Sequence, residues 1–185
     1  MLTHLNELLA SHTPHDAAEA QSLASMRRWV TTLEQPFSRH QAGAHFTGSA
    51  LVVDERADKI ALLHHAKLNR WLQPGGHADP EDAGCMRTTA LREAHEETGC
   101  IVRLHEHAAS PLDVDVHLIP ARGDEPAHHH LDLRFLVVAT NPDALTRNVE
   151  ESFAARWFTF DEAISLANDE PLRRLMRKGM AILRA

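Results

Sequence analysis

Two apolar runs near residue 50 set the first expectation. "HFTGSALVVDE" and "KIALLHHA" are rich in β-branched and aliphatic residues and are separated only by "RAD", which predicts two strands joined by a short turn. Further along, "LDVDVHLI" alternates with period two, "LDLRFLVVAT" reads as another strand after the loop "PARGDEPAHHH", and "AARWFTF" as a short one. Helical spacing brackets these runs. After a short "LTHLNELLA", Asp16 and Glu19 have capping-box spacing, and Leu23, Met26, Val30 and Leu33 recur on one face until Pro36 ends the pattern. Another helix is expected from about Asp82 to Thr98, with Gly99 just past its end. Asp161 reads as an N-cap and Pro171 as the start of a terminal helix.

Before the helix that ends at Thr98, "LNRWLQPGGHADPEDAG" breaks all periodicity. Pro74 pushes Gln73 towards an extended conformation, and Gly75 and Gly76 allow a close backbone approach that other residues resist. Strands, then a helix, then more strands and helices predict an α/β fold with helices packed on a mixed β-sheet. The expected division is a helical N-terminal extension over residues 1–44 and a main domain over 45–185.

Composition narrows the class. A chain of 185 residues supports one well-buried core, and 43% hydrophobic with 24% charged residues is ordinary for a soluble globular protein. No apolar run approaches the roughly 20 residues that span a bilayer, so no membrane association is expected. The start "MLTHLNELLASHTPHDAAEA" lacks the basic and apolar segments of a secretory signal, which leads to an expectation of a cytoplasmic setting. Cys85 and Cys100 would flank one helix, roughly 22 Å apart, and are expected to be free thiols. A net charge of -7 repels a phosphate backbone, so no nucleic-acid partner is expected, and a small anionic substrate would need local cations.

The stretch "LREAHEETGC" carries the chemistry. Glu93, Glu96 and Glu97 crowd the carboxyl end of a helix, where the backbone already presents partial negative charge and a lysine or arginine would be favoured. At 100° per residue they fall within an arc of roughly 100°, and Glu93 and Glu97 at i and i+4 repel by about 0.2 to 0.5 kcal/mol. Arg92 can brace one carboxylate but cannot neutralise the group. A divalent cation can, since clustered carboxylate oxygens are what Mg2+ prefers, and such sites recruit substrate phosphates. A solvated acidic face is the bland alternative. The glycine-rich turn before these acids, and the small Ala90 and Ala94 opposite them, favour the metal site.

Taken together, "GGHADPEDAGCMRTTALREAHEETGC" resembles the signature of the Nudix hydrolase superfamily: Gly, five residues, Glu, seven residues, then Arg-Glu-apolar-x-Glu-Glu-x-Gly-apolar. Arg92, Glu93, Ala94, Glu96, Glu97, Gly99 and Cys100 fill the second half without a gap. In the first half, fifteen residues separate Gly76 from Arg92 where the family has thirteen, leaving the upstream acid open between Asp82, the Gly84 position and neighbouring Glu81. "WLQPGG" and "ARWFTFDEA" extend the resemblance over roughly residues 45 to 170.

The resemblance implies a Nudix-like α/β/α sandwich around a mixed β-sheet, and hydrolysis of a nucleoside diphosphate linked to another moiety with Mg2+ or Mn2+. The partner would be a small-molecule nucleotide or nucleoside diphosphate derivative, and a homodimer is an admissible assembly. Carried onto matching residues, Glu96, Glu97 and the Gly75 carbonyl look like metal ligands, Glu93 like a ligand or general base, and Arg92 like the group that orients its carboxylate. Glu93, Arg92 and Glu97 are thus the catalytic candidates, with Glu150 and Glu151 of a late loop as further candidates for the base. A non-catalytic nucleotide-binding or regulatory domain and a Nudix-fold isoprenyl diphosphate isomerase are the competing readings.

Other residues carry weaker signals. His77, Arg70, His128 and Arg134, with Lys67, are candidate phosphate or substrate contacts, each with an alternative as an ordinary surface or strand residue. In "HHH" at 128–130, His128 and His130 would share a face if extended, but a zinc site needs a third ligand that local sequence does not offer, so loop or edge-strand histidines are expected. Trp71 and Trp157 are expected in the core, with base stacking as the alternative.

Overall fold

Apolar residues on both faces of its two longest strands decide how this chain packs. The computed structural model describes residues 2–106 and 110–185. In chain order the elements are α1 (Leu2–Ser11), α2 (Ala17–Trp29), β1 (Ala44–Asp54), β2 (Lys59–His65), β3 (Arg70–Leu72), β4 (Gly75–His77), α3 (Met86–Thr98), β5 (Val102–Leu104), β6 (Asp113–Ile119), β7 (His128–Ala139), β8 (Ser152–Thr159), α4 (Phe160–Leu166) and α5 (Glu170–Leu183).

β1 and β7 run parallel in the centre, in register from Ala44 opposite His129 to Asp54 opposite Ala139. Every other pairing is antiparallel: β2 and β4 on β1, β5 and β6 on β7, β3 and β8 on β2. The sheet is therefore mixed, as expected. Both faces of the central pair are covered, which explains why β1 and β7 read as near-continuous apolar runs instead of alternating. Phe46, Ala50 and Val52 of β1 pack with Ala90 and Ala94 of α3 and with Leu23 and Met26 of α2. Leu51, Val53, Leu136 and Val138 pack on the other side with Phe160 of α4 and Leu172, Leu175 and Met176 of α5. Leu5, Leu8 and Leu9 of α1 join the first cluster, so the N-terminal helices share a core with the sheet.

Several boundaries differ from the sequence expectation, each for a local reason. The helix expected from Asp82 begins at Met86, because Pro80–Asp82 forms a separate 3-10 turn and Ala83 and Gly84 adopt left-handed φ values of 51° and 68°. β7 begins at His128, three residues before the expected strand, drawn into extension by its parallel ladder with β1. The cap of α4 is Thr159, in a reciprocal pair with Glu162, and not Asp161. Asp16 does cap α2, accepting from the Glu19 N–H, but the Glu19 carboxylate accepts from the His15 N–H instead of closing the box. That helix stops at Trp29, well before Pro36. Cys85 and Cys100 stand at opposite ends of α3 as free thiols.

Candidate active site

β4 brings the glycine pair against α3. It lies antiparallel to β1, with Gly76 opposite Gly48 and Gly75 opposite Ser49. A β-carbon on Gly76 would fall 2.6 Å from Glu93 Oε1, so a larger residue here would push the Glu93 carboxylate out of its place. The Gly75 N–H donates to Glu97 Oε2 at 2.8 Å. At the far end, Gly99 takes a left-handed φ of 68° and its N–H closes onto the His95 carbonyl, which ends α3 directly after the acids. Glu93 and Glu97 therefore face inwards, while Glu96 keeps half its side chain in solvent.

Arg92 reaches further than one carboxylate. Its Nη1 meets Glu93 Oε1 at 3.1 Å and Glu96 Oε2 at 3.0 Å, and its Nη2 meets Asp82 Oδ2 at 2.9 Å and the His77 carbonyl at 2.7 Å. Of the positions left open upstream, Asp82 is the one packed on Arg92. It is 2% exposed and also accepts from Thr89 Oγ1 and the Asp79 N–H, whereas Glu81 is exposed and Gly84 lies in the turn. Burial pushes the Asp82 carboxyl up, but Arg92, the Asp79 N–H and Thr89 outweigh it and hold it below the usual carboxylate range. Between Asp82 and the start of α3 the backbone turns left-handed at Ala83 and Gly84.

A fourth acid reaches the helix end from the late loop. Glu151, exposed like its neighbour Glu150, comes near enough to Glu97 to raise its carboxyl, and its loop is held by Ala66 N–H donating to the Glu151 carbonyl at 2.8 Å. Glu150 is exposed, and its N–H is tied to Asn148 Oδ1. Crowding shows in the ionisation of the pair. Burial raises the Glu93 carboxyl most, Arg92 pulls it back, and Glu96 and Glu151 add to the rise, which ends at about 7. Glu97 is also raised, by burial first and then by Glu93 and Glu151, against the Gly75 N–H. Carboxylates gathered at one helix end suit a hard dication, which would reverse those shifts.

The remaining candidates scatter. Arg70, on β3, pairs with Asp169 at 3.3 Å and is partly exposed. Lys67 is exposed beside it in sequence. Arg134 corrects the sequence reading as a phosphate contact: it is 4% exposed, and its guanidinium is taken up by Asp132 at 2.8 Å, Asp115 at 3.1 Å and Asp113 at 3.3 Å. His77 and His128 point to the face of the sheet away from α3, where they meet His45, a residue that sequence reasoning missed. The only signal for it was a histidine opening a strand, whose parallel partner could not be known. Trp71 packs edge-on to Phe158, and the Trp157 indole N–H donates to the Pro142 carbonyl at 3.0 Å.

A family model for the NUDIX domain matches residues 45–179. The chain belongs to the Nudix family. At the family level it is a pyrophosphohydrolase, acting on acid anhydrides. Among solved structures, the chain is similar to a Caenorhabditis elegans Ap4A hydrolase in a binary complex, with 21% identity, a TM-score of 0.59, and coverage of 75% of this chain and 97% of that one. A NUDIX-family hydrolase from Clostridium perfringens gives 22% identity, a TM-score of 0.52, and coverage of 76% and 96%. A MutT protein from Methanosarcina mazei Go1 gives 15% identity, a TM-score of 0.51, and coverage of 77% and 97%. At such identities the likeness concerns the fold. Comparison with curated protein sequences gives no match. No helix among the described residues is long and apolar enough to cross a membrane.

Proposed function

We propose that this Nudix protein cleaves the diphosphate linkage of a nucleoside diphosphate derivative with the help of Mg2+ or Mn2+. The observation that carries the reading is the gathering of Glu93, Glu97 and Glu151 at one helix end, where burial and then their mutual repulsion raise the Glu93 and Glu97 carboxyls although Arg92 braces Glu93. Glu93, Glu96, Glu97 and the Gly75 carbonyl are the groups that would hold the metal, which when bound neutralises the diphosphate and makes water a better nucleophile.

The chain's own residues then have distinct work. Arg92 fixes the Glu93 and Glu96 carboxylates, and Asp82 fixes Arg92 from below. The Gly75 N–H sets the rotamer of Glu97. Facing inwards and braced by Arg92, Glu93 is the first candidate for the base, and Glu151, which comes near Glu97 from the late loop, the second. The Asp82–Arg92 contact, present despite a loop two residues longer than the family spacing, supports the catalytic reading over a non-catalytic domain.

A panel of nucleotide sugars, dinucleoside polyphosphates, coenzymes and nucleoside triphosphates, assayed with Mg2+ for release of phosphate or monophosphate, tests the reading. Metal-dependent release from at least one class is expected. Tight binding without release would favour a regulatory domain, and a rearranged but unhydrolysed diphosphate would favour an isomerase.

A further inference from the structure

On the sheet face turned away from α3, four imidazoles from three strands converge. His45 comes from β1, His77 from β4, and His128 and His130 from β7. The ring centroids of His45 lie 5.0 Å from His77, 4.9 Å from His128 and 4.9 Å from His130, and those of His77 and His130 are 4.9 Å apart. The registers force this meeting, since His45 pairs with His130 across the parallel ladder and His77 faces the adjacent Thr47.

Core histidines normally spend their ring nitrogens on hydrogen bonds. Here both ring nitrogens of His45, and Nε2 of His77, His128 and His130, are buried with no hydrogen-bond partner among the described residues. One nitrogen of His128 does have a partner: its Nδ1 lies 3.0 Å from the Pro126 carbonyl, which can accept only from Nδ1–H, so Nε2 keeps a free lone pair. The ligand atoms of His45, His128 and His130 all lie within 4.8 Å of one another. Burial and mutual repulsion lower His45 and His77 to about 4 and His130 to about 2, so the rings are neutral, the form that binds metal. The surroundings carry both signs: Arg39 lies close enough to disfavour positive charge, and the Glu125 carboxylate stands 3.9 Å from His128 Nε2.

We propose that His45, His128 and His130, with His77 as fourth member, form a binding site for a zinc-type transition cation, separate from the carboxylate cluster on α3. The donors make the distinction. Imidazole nitrogens select Zn2+, Ni2+, Cu2+ or Co2+, whereas Mg2+ and Mn2+ prefer the carboxylate oxygens of Glu93 and Glu97. The fourth member also ties the site to the glycine turn, because the His77 carbonyl accepts from Arg92 while its ring faces the other histidines.

The test uses the full chain without an affinity tag, stripped of metal and then dialysed against a slight excess of Zn2+ with Mg2+ in large excess. Close to one equivalent of Zn2+ should survive gel filtration, Co2+ in its place should give tetrahedral d–d absorption, and His45→Gln or His130→Asn should weaken Zn2+ binding by about 100-fold. Glu97→Gln should leave the stoichiometry unchanged. Should either histidine variant fail to fold, anomalous scattering at the zinc edge from wild-type crystals decides, with a peak among His45, His128 and His130 expected. Zinc lost in Glu97→Gln but kept in His45→Gln, a peak elsewhere, or no retained zinc would overturn the proposal.

Discussion

Around Arg134, buried acids are met one by one: Asp132 at 2.8 Å, Asp115 at 3.1 Å and Asp113 at 3.3 Å. Arg174 adds a contact to Asp113 at 2.6 Å, Lys178 meets Glu19 at 2.6 Å, and the Thr47 and Ser49 hydroxyls donate to Asp132. Around Glu97, on the other side of β1, the neighbours are two more acids and one backbone N–H. The ionisation differs accordingly. Asp115 is pushed up by burial yet held at about 2 by His117 and the two arginines, whereas Glu93 rises to about 7 and Glu97 rises too. Asp113, at the centre of the network, is raised by burial against the pull of Arg174 and Arg134. A buried, raised carboxyl is thus no sign of a reactive site by itself, since Asp113 is raised among arginines; what sets the α3 cluster apart is that several acids share one arginine.

Substitutions at the two places should separate them. The largest effect is expected for Glu97→Gln, which should cut metal-dependent turnover by about 10^2- to 10^4-fold while leaving the thermal midpoint unchanged or higher, read by steady-state kinetics and calorimetry. An unaltered rate would place the chemistry elsewhere. Arg134→Met should do the reverse in kind, costing about 3 to 5 kcal/mol in denaturant unfolding because three buried acids each lose the guanidinium they share. If that variant keeps its stability, the network is ornamental.

The smallest expected effect is in pH dependence. A folded-state pKa of about 7 for Glu93 lies above the unfolded value, so the folded chain holds the extra proton, and this group removes stability as pH rises from about 4.5 to 7. Comparing Glu93→Gln with wild type, without metal, should show the variant favoured by on the order of 1 kcal/mol at pH 8 and little different at pH 4. Mg2+ binding to wild type near pH 6.5 should release protons, measurable in buffers of different ionisation enthalpy, and less so in the variant.

The legible parts of the molecule were those written locally. The acidic helix end, the glycine turn before it and the long strands follow from neighbouring residues. The start of α3 was misplaced because Glu81 and Asp82 look like a helix's first turn, whereas Asp82 is spent on Arg92 and the backbone turns left-handed at Ala83. β3, β4 and β5, of three residues each, carry no period to detect. Arg134 and His45 were misread or missed because decisive partners come from other strands: Asp113 and Asp115 of β6 lie 21 and 19 positions from Arg134, and His130 of β7 stands opposite His45. That Asp82 packs on Arg92, and that Glu151 and not Glu150 comes near Glu97, likewise became visible only in the fold.

The parallel ladder between β1 and β7 also bears on how the molecule comes into being. Its rungs join Ala44 to His129 and Asp54 to Ala139, so a newly made chain cannot close its central pair until most of its length has left the ribosome. Local hairpins such as β1–β2 can zip early, while the last loop closures carry the entropic burden and set the tempo of folding.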